Sequence, residues 1–192
     1  MPIFTSVLDA SVLYSSALRD LLLSLAANRL FDPVWSEQIH DEWMRNIVRA
    51  HGGATSIQKH VARTRQRMDV FFPGALVHGF EGLISNLALP DPTDRHVLAA
   101  AIHAGAAVIV TYNLRHFPSS ELVKFGVEAW HPDDFVESLL YAEFDAALEA
   151  IRELRARLQR PVKSQADYID MLANKLQMPR TAQILRGNAS RF

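Results

Sequence analysis

The chain has no cysteine, which excludes disulfides, thiolate zinc sites and cysteine nucleophiles, so any bound metal must be held by carboxylate, amide or imidazole groups. It also lacks an uninterrupted apolar run approaching the roughly 18 residues of a membrane span. Asp9 interrupts the N-terminal apolar segment before it reaches the length of a signal-peptide core. The expected setting is therefore the cytoplasm, with no membrane partner. No internal repeat or low-complexity tract is present. What remains is 192 residues with 49% hydrophobic content, enough to bury a core as one domain, or one domain with a small appendage.

A formal net charge of −1 does not advertise nucleic-acid binding, but the total hides segregation along the chain. Between Arg45 and Arg67 the basic residues Arg45, Arg49, Lys59, Arg63, Arg65 and Arg67 meet no acid. A second basic run comprises Arg152, Arg155, Arg157, Arg160 and Lys163. Each run is a candidate phosphate-contacting surface, and each also fits a solvated helix face.

The apolar pattern alternates between two kinds of segment. Ile3 to Leu8 reads as a strand and Ala10 to Leu30 as a helix, with Leu18, Leu21, Leu22 and Leu25 at helical spacing. Pro33 ends the next segment. Ser36 stands as an N-cap before a helix through Ile39, Trp43, Ile47 and Val48, which Gly52 and Gly53 break. A further helix is expected over Thr55 to Val70 and a weak strand at Ala75 to Val77. The stiff turn Leu89-Pro90-Asp91-Pro92-Thr93-Asp94 leads into a helix that Gly105 stops. Ala106 to Thr111 reads as a fully buried parallel strand and Val127 to Trp130 as another, before a helix near Pro132. Strands separated by helices predict an α/β fold with a mostly parallel sheet. Beyond Tyr141 the pattern is helix alone: Ala142 to Leu158, a break at Pro161, Gln165 to Leu176, and a short piece at Ala182 to Leu185.

Ligands of open parallel sheets bind outside the carboxyl ends of the strands, so polar residues directly after buried strands are candidates. Asp9 ends the first strand, and Asn113 lies two residues beyond Thr111. Asp91 and Asp94 sit at the start of a helix, where they would also serve as turn or cap residues. Glu42 lies inside the Ser36 helix.

Four segments carry a resemblance. Val-Leu-Asp9-Ala-Ser-Val-Leu, Ser36 followed by Glu42, Leu89-Pro-Asp91-Pro-Thr-Asp94-Arg-His-Val-Leu, and Val108-Ile-Val-Thr111-Tyr-Asn113 together resemble the PIN-domain family of metal-dependent ribonucleases over approximately residues 3 to 140. The third segment is the most specific and is similar to a subgroup with Asp-Pro-x-Asp before this helix. The resemblance implies a three-layer α/β/α fold, with a nuclease domain over 1–140 and a C-terminal helical extension over 141–192. It implies Asp9, Glu42 and Asp94 as catalytic residues. The implied metal set is Asp9, Glu42, Asp91, Asp94 and Asn113 around Mg²⁺ or Mn²⁺, with Arg95 and Arg115 on the substrate phosphates. Asn113 departs from the family, where many members have Thr-x-Asp: an amide can coordinate a hard cation but brings no negative charge. His96, His103 and His116 offer proton donors in principle and stay outside the catalytic set.

The implied activity is hydrolysis of RNA phosphodiester bonds. Resemblance to VapC-type toxins further implies a cognate antitoxin and a homodimer. Asn113 keeps open a second reading, a catalytically weakened PIN domain that binds RNA or a protein; an orphan housekeeping nuclease is the third. A haloacid-dehalogenase-type phosphatase expects Asp-x-Asp where this chain has Asp9-Ala10-Ser11. The paired acids and later lysine of a receiver domain are also missing.

Overall fold

The computed structural model describes residues 4–158 and 164–192. Ile3, Arg160, Pro161 and Lys163, which figure in the expectations above, lie outside the described residues. The chain divides into two compact units. The first is the chain up to Ser15 together with Asp32–Trp130; the second is Ser16–Phe31 together with the chain from His131 onward.

In chain order the first half contains β1 (Thr5–Leu8), α1 (Ala10–Tyr14), α2 (Ser16–Ala27), β2 (Asp32–Ser36), α3 (Glu37–Ala50), α4 (Thr55–Phe71), β3 (Leu76–Val77) and α5 (Glu81–Ile84). There follow a 3-10 turn (Pro92–Asp94), α6 (Arg95–Ala104), β4 (Val108–Val110), a second such turn (Leu114–His116), α7 (Ser119–Leu122) and β5 (Glu128–Trp130). The rest is helical: α8 (Pro132–Ala142), α9 (Phe144–Arg157), α10 (Gln165–Asp170) and α11 (Pro179–Gly187).

Among the described residues the first unit holds one five-stranded sheet of order β3-β2-β1-β4-β5, with every pair parallel. Its centre is apolar because Val7, Leu8, Ile109 and Val110 are fully buried, as suits strands covered on both faces. From β1 the chain steps outward through β2 to β3, then returns to the other side of β1 for β4 and β5. By the right-handed rule for parallel crossovers, α3 and α4 lie on one face of this sheet and α6 and α7 on the other. The result is the three-layer α/β/α arrangement expected from the sequence. The reversal of direction leaves a crevice between the carboxyl ends of β1 and β4.

Local chemistry sets the ends of two of these helices. Ser36 Oγ accepts from the Ile39 amide at 3.2 Å and starts α3. Gly105 ends α6 at φ 63°, a left-handed conformation that favours glycine.

Two expectations give way. The single helix over Ala10 to Leu30 is broken at Ser15, whose backbone is extended (φ −76°, ψ 118°). The segment around Pro33 is a strand: Asp32 N–H bonds to Phe4, just before β1, while Trp35 N–H bonds to Ala75 on the opposite side. A donor at Pro33 would face the same side as that of Trp35, where β3 has not yet begun, so its absence breaks no ladder bond.

In the second unit α2 buries Leu18, Leu21, Leu22 and Leu25 and packs on α9. Phe31 meets Phe135 edge-on with ring centres 4.9 Å apart. Asp133 on α8 is buried, and its two oxygens accept from the first free amides of α11, Arg180 N and Thr181 N, each at 2.9 Å. No described helix is long and apolar enough to cross a membrane.

Candidate metal centre at the sheet crevice

Asp9 directly follows β1 and caps α1, its Oδ1 accepting from the Ala10 amide at 2.7 Å. Its Oδ2 accepts from Ser11 Oγ at 2.6 Å and from Thr111 Oγ1 at 2.7 Å. Thr111 follows β4, the strand paired with β1, so one carboxylate is fixed from both walls of the crevice. The same two hydroxyls accept backbone donors in turn: Ser11 from Tyr112 N at 3.1 Å, Thr111 from Asn113 N at 2.9 Å. Asp9 is only 3% exposed. Burial pushes its carboxyl above the ordinary carboxylate range, the Ser11 and Thr111 hydrogen bonds pull it back, and the charge of Glu42 raises it further.

Asp94 ends the first 3-10 turn and is 8% exposed. Its carboxyl is also raised, chiefly by burial and also by the charges of Asp9 and Asp91; the hydrogen bond from His116 opposes this. His116 Nδ1 lies 2.6 Å from Asp94 Oδ2, and Arg115 Nε donates to His116 Nε2 at 3.2 Å. Because a guanidinium only donates, Nε2 accepts and Nδ1 carries the proton to Asp94. Asp91 is at the surface. Its Oδ1 accepts from both the hydroxyl and the amide of Thr93, which hold its carboxyl below the ordinary value. Asp91, Asp94 and His116 bring possible ligand atoms within 4.8 Å of one another.

More than half of the chain, residues 5–115, matches the family described as "PIN domain". The chain belongs to the PIN-domain family. Residues 132–187, within the second unit, match the family described as "VapC50 C-terminal domain". A Mycobacterium tuberculosis protein named "Putative ribonuclease VapC50" is 58% identical over 43 residues, a match that spans 22% of this chain and 25% of that protein. No solved structure matches significantly.

The PIN domain thus places Asp9 within electrostatic reach of Glu42, and Asp94 within that of Asp9. Glu42 lies on α3 with its Oε2 3.8 Å from His96 Nε2. Asn113 reaches the crevice through its backbone amide, and its side chain makes no capping bond. Arg95 is half-buried, with a buried Nε that has no hydrogen-bond partner; Arg115 is exposed. Ser11, Thr111 and His116 are the residues that sequence reasoning did not place here. A hydroxyl two residues after Asp9 and another at the end of β4 were visible signals, whereas His116 depends on the turn that folds it back onto Asp94.

The donor set of the PIN domain fits a hard divalent cation. Asp9 and Asp94 are both raised by burial and by the charge of a neighbouring carboxylate, and crowded oxygen ligands of this kind suit such an ion. The imidazole of His116 lies beside them, its Nδ1 held on Asp94.

Proposed function

We propose that this PIN domain is a divalent-metal-dependent endoribonuclease that hydrolyses RNA phosphodiester bonds, and that it is the toxin of a type II toxin–antitoxin pair. The observation that carries the reading is the burial of Asp9 at the β1–β4 crevice, fixed by Ser11 and Thr111 and within electrostatic reach of Glu42. The ribonuclease named among its relatives supports the same activity. We assign the chemistry to residues 1–140 and treat 141–192 as the helical extension.

Asp9, Asp94 and Glu42 would hold the ion, with Asp91, Asn113 and His116 beside them. When bound, Mg²⁺ or Mn²⁺ supplies positive charge against the charge that builds on the phosphate, and makes a water more acidic. The protein's own groups do the rest. Ser11 and Thr111 keep the Asp9 carboxylate in one orientation. His116 fixes one oxygen of Asp94. Glu42 makes no side-chain hydrogen bond among the described residues and lies 3.8 Å from His96 Nε2, which leaves its carboxylate free to orient a water or accept its proton. Arg115, exposed and bonded among the described residues only to His116, can turn to a phosphate oxygen; Arg95 is its proposed counterpart.

The expected partners are RNA, a cognate antitoxin protein and a second copy of the chain, in the cytoplasm. Purified protein should cleave RNA only with Mg²⁺ or Mn²⁺, and Asp94→Asn should remove at least 100-fold of that rate, on the order expected for loss of a charge-stabilising group. Expression should arrest growth and Asp94→Asn should relieve the arrest; growth unaffected by the wild-type chain contradicts the toxin assignment. Asn113, which brings no charge to the crevice, favours one second reading: a PIN domain that binds RNA or protein without cutting. Cleavage lost in Asp9→Asn excludes it.

A further inference from the structure

We propose that the outer face of α4 is a docking track for single-stranded RNA, in which Lys59, Arg63 and Arg67 hold the backbone and Phe71 stacks on a base. The proposal rests on the ribonuclease reading and names how the substrate would be held away from the crevice.

The first basic run of the sequence divides in two when folded. Arg65 turns inward, paired with Glu37 and with Asp69. Lys59, Arg63 and Arg67 are exposed and make no ion pair among the described residues. This sets them apart from Arg152 and Arg157 of the second run, which are tied to Glu149 and Glu153. An exposed cation without an acid beside it keeps its full attraction for phosphate.

Spacing makes the three a row. Lys59, Arg63, Arg67 and Phe71 recur every fourth residue, so each lies one turn beyond the last on the same side of α4. Val61 and Met68 occupy the opposite, buried side. Phe71 is 78% exposed at the end of the row and Val70 beside it 71%. Among the described residues no ring contact holds Phe71. A row of cations leading to an exposed aromatic is what a single strand needs, because phosphates repeat along it and unpaired bases present flat faces.

The row also points the right way. Arg65 reaches Glu37, and Asp69 meets His40, so the end of α4 lies beside the first turns of α3. Helix α3 starts at the carboxyl end of β2, the same sheet edge that carries the crevice, and it bears Glu42. The Phe71 end of the row is therefore its site-facing end.

The test is fluorescence anisotropy of the full chain with a labelled single-stranded RNA of mixed sequence, in EDTA so that no cleavage occurs. Lys59→Glu/Arg63→Glu/Arg67→Glu should weaken binding and lower the slope of log K against log salt by about 2, at roughly 0.7 per lost phosphate contact. Phe71→Ala should weaken it about 10-fold with the slope unchanged. Arg152→Glu/Arg157→Glu makes two charge reversals against three and should leave the slope intact. The proposal is overturned if the wild-type chain does not bind the RNA, if the α4 triple variant binds normally, or if the α9 pair has the same effect. It is also overturned if Phe71→Ala leaves RNA affinity unchanged while converting a dimer to a monomer in sedimentation, since the ring would then belong to a self-interface. Unchanged thermal melting of the α4 variants separates lost binding from lost folding. RNA cleaved by wild type and bound normally by the triple variant refutes the track alone. RNA bound through the track and never cleaved refutes the nuclease reading alone.

Discussion

The Asp9 carboxylate works against the stability of the metal-free fold. Its folded-state pKa is raised, so its favourable contribution is complete only below the ordinary value near 3.8 and is lost as pH rises through the raised one. Above the raised value the ionised, buried group is a net cost. Asp9→Asn keeps a side-chain acceptor for the Ala10 amide, and the Ser11 and Thr111 hydroxyls can rotate to accept from the new NH₂. We expect this variant to melt about 2–4 °C higher than wild type in EDTA. We expect it also to lose the rise in melting temperature that Mn²⁺ gives the wild-type chain. A lower melting temperature in EDTA would show that Asp9 is a structural cap. Asp9 was legible in the sequence because a carboxylate after a buried strand has few structural reasons to be there. His116 was not, because its contact with Asp94 spans 22 residues and depends on how the loop after β4 turns.

Between elements, two buried polar groups carry assignments that can be checked. His40 is fully buried between α3 and α4, with Nδ1 accepting from Trp43 Nε1 at 2.9 Å and Nε2 facing Asp69 Oδ1 at 3.0 Å. Burial lowers its pKa below the ordinary 6.5, outweighing the pull of Asp69. A lowered histidine stabilises the fold above its ordinary value, and that stability is lost as pH falls below about 6.5 toward the folded-state pKa. Protonation would put a second N–H against that of Trp43. Calorimetry from pH 7.5 to 5 should show the melting temperature falling, with a flatter profile and a lower starting value in His40→Gln; an equal slope in both would refute the assignment. Asp133→Ala leaves two amides of α11 without their acceptor and should cost about 2–3 kcal/mol in urea unfolding. Asp133→Asn should cost less, and a neutral Asp133→Ala would show that water replaces the cap. At this scale α3 and α6 were readable from Ser36 and Gly105, whose chemistry is local. β2 was not, because whether Pro33 breaks a strand depends on where β3 begins.

For the molecule as a whole, the alternation of strands and helices gave the parallel sheet and, through the reversal of chain direction at β1, the crevice where Asp9 and Thr111 meet. The grouping of α2 with the helices after His131 is long-range packing that a local apolar period does not encode. Phosphodiester cleavage is the proposed property in which crevice, carboxylates and cationic helix would all take part. The most direct measurement is cleavage of cellular RNA by nuclease-free protein, mapped at nucleotide resolution with Mg²⁺, Mn²⁺ or EDTA. The account predicts discrete cuts with either ion, none in EDTA, and none from Asp94→Asn. RNA left intact by the wild-type chain with both ions, or cut equally by Asp94→Asn, would contradict it.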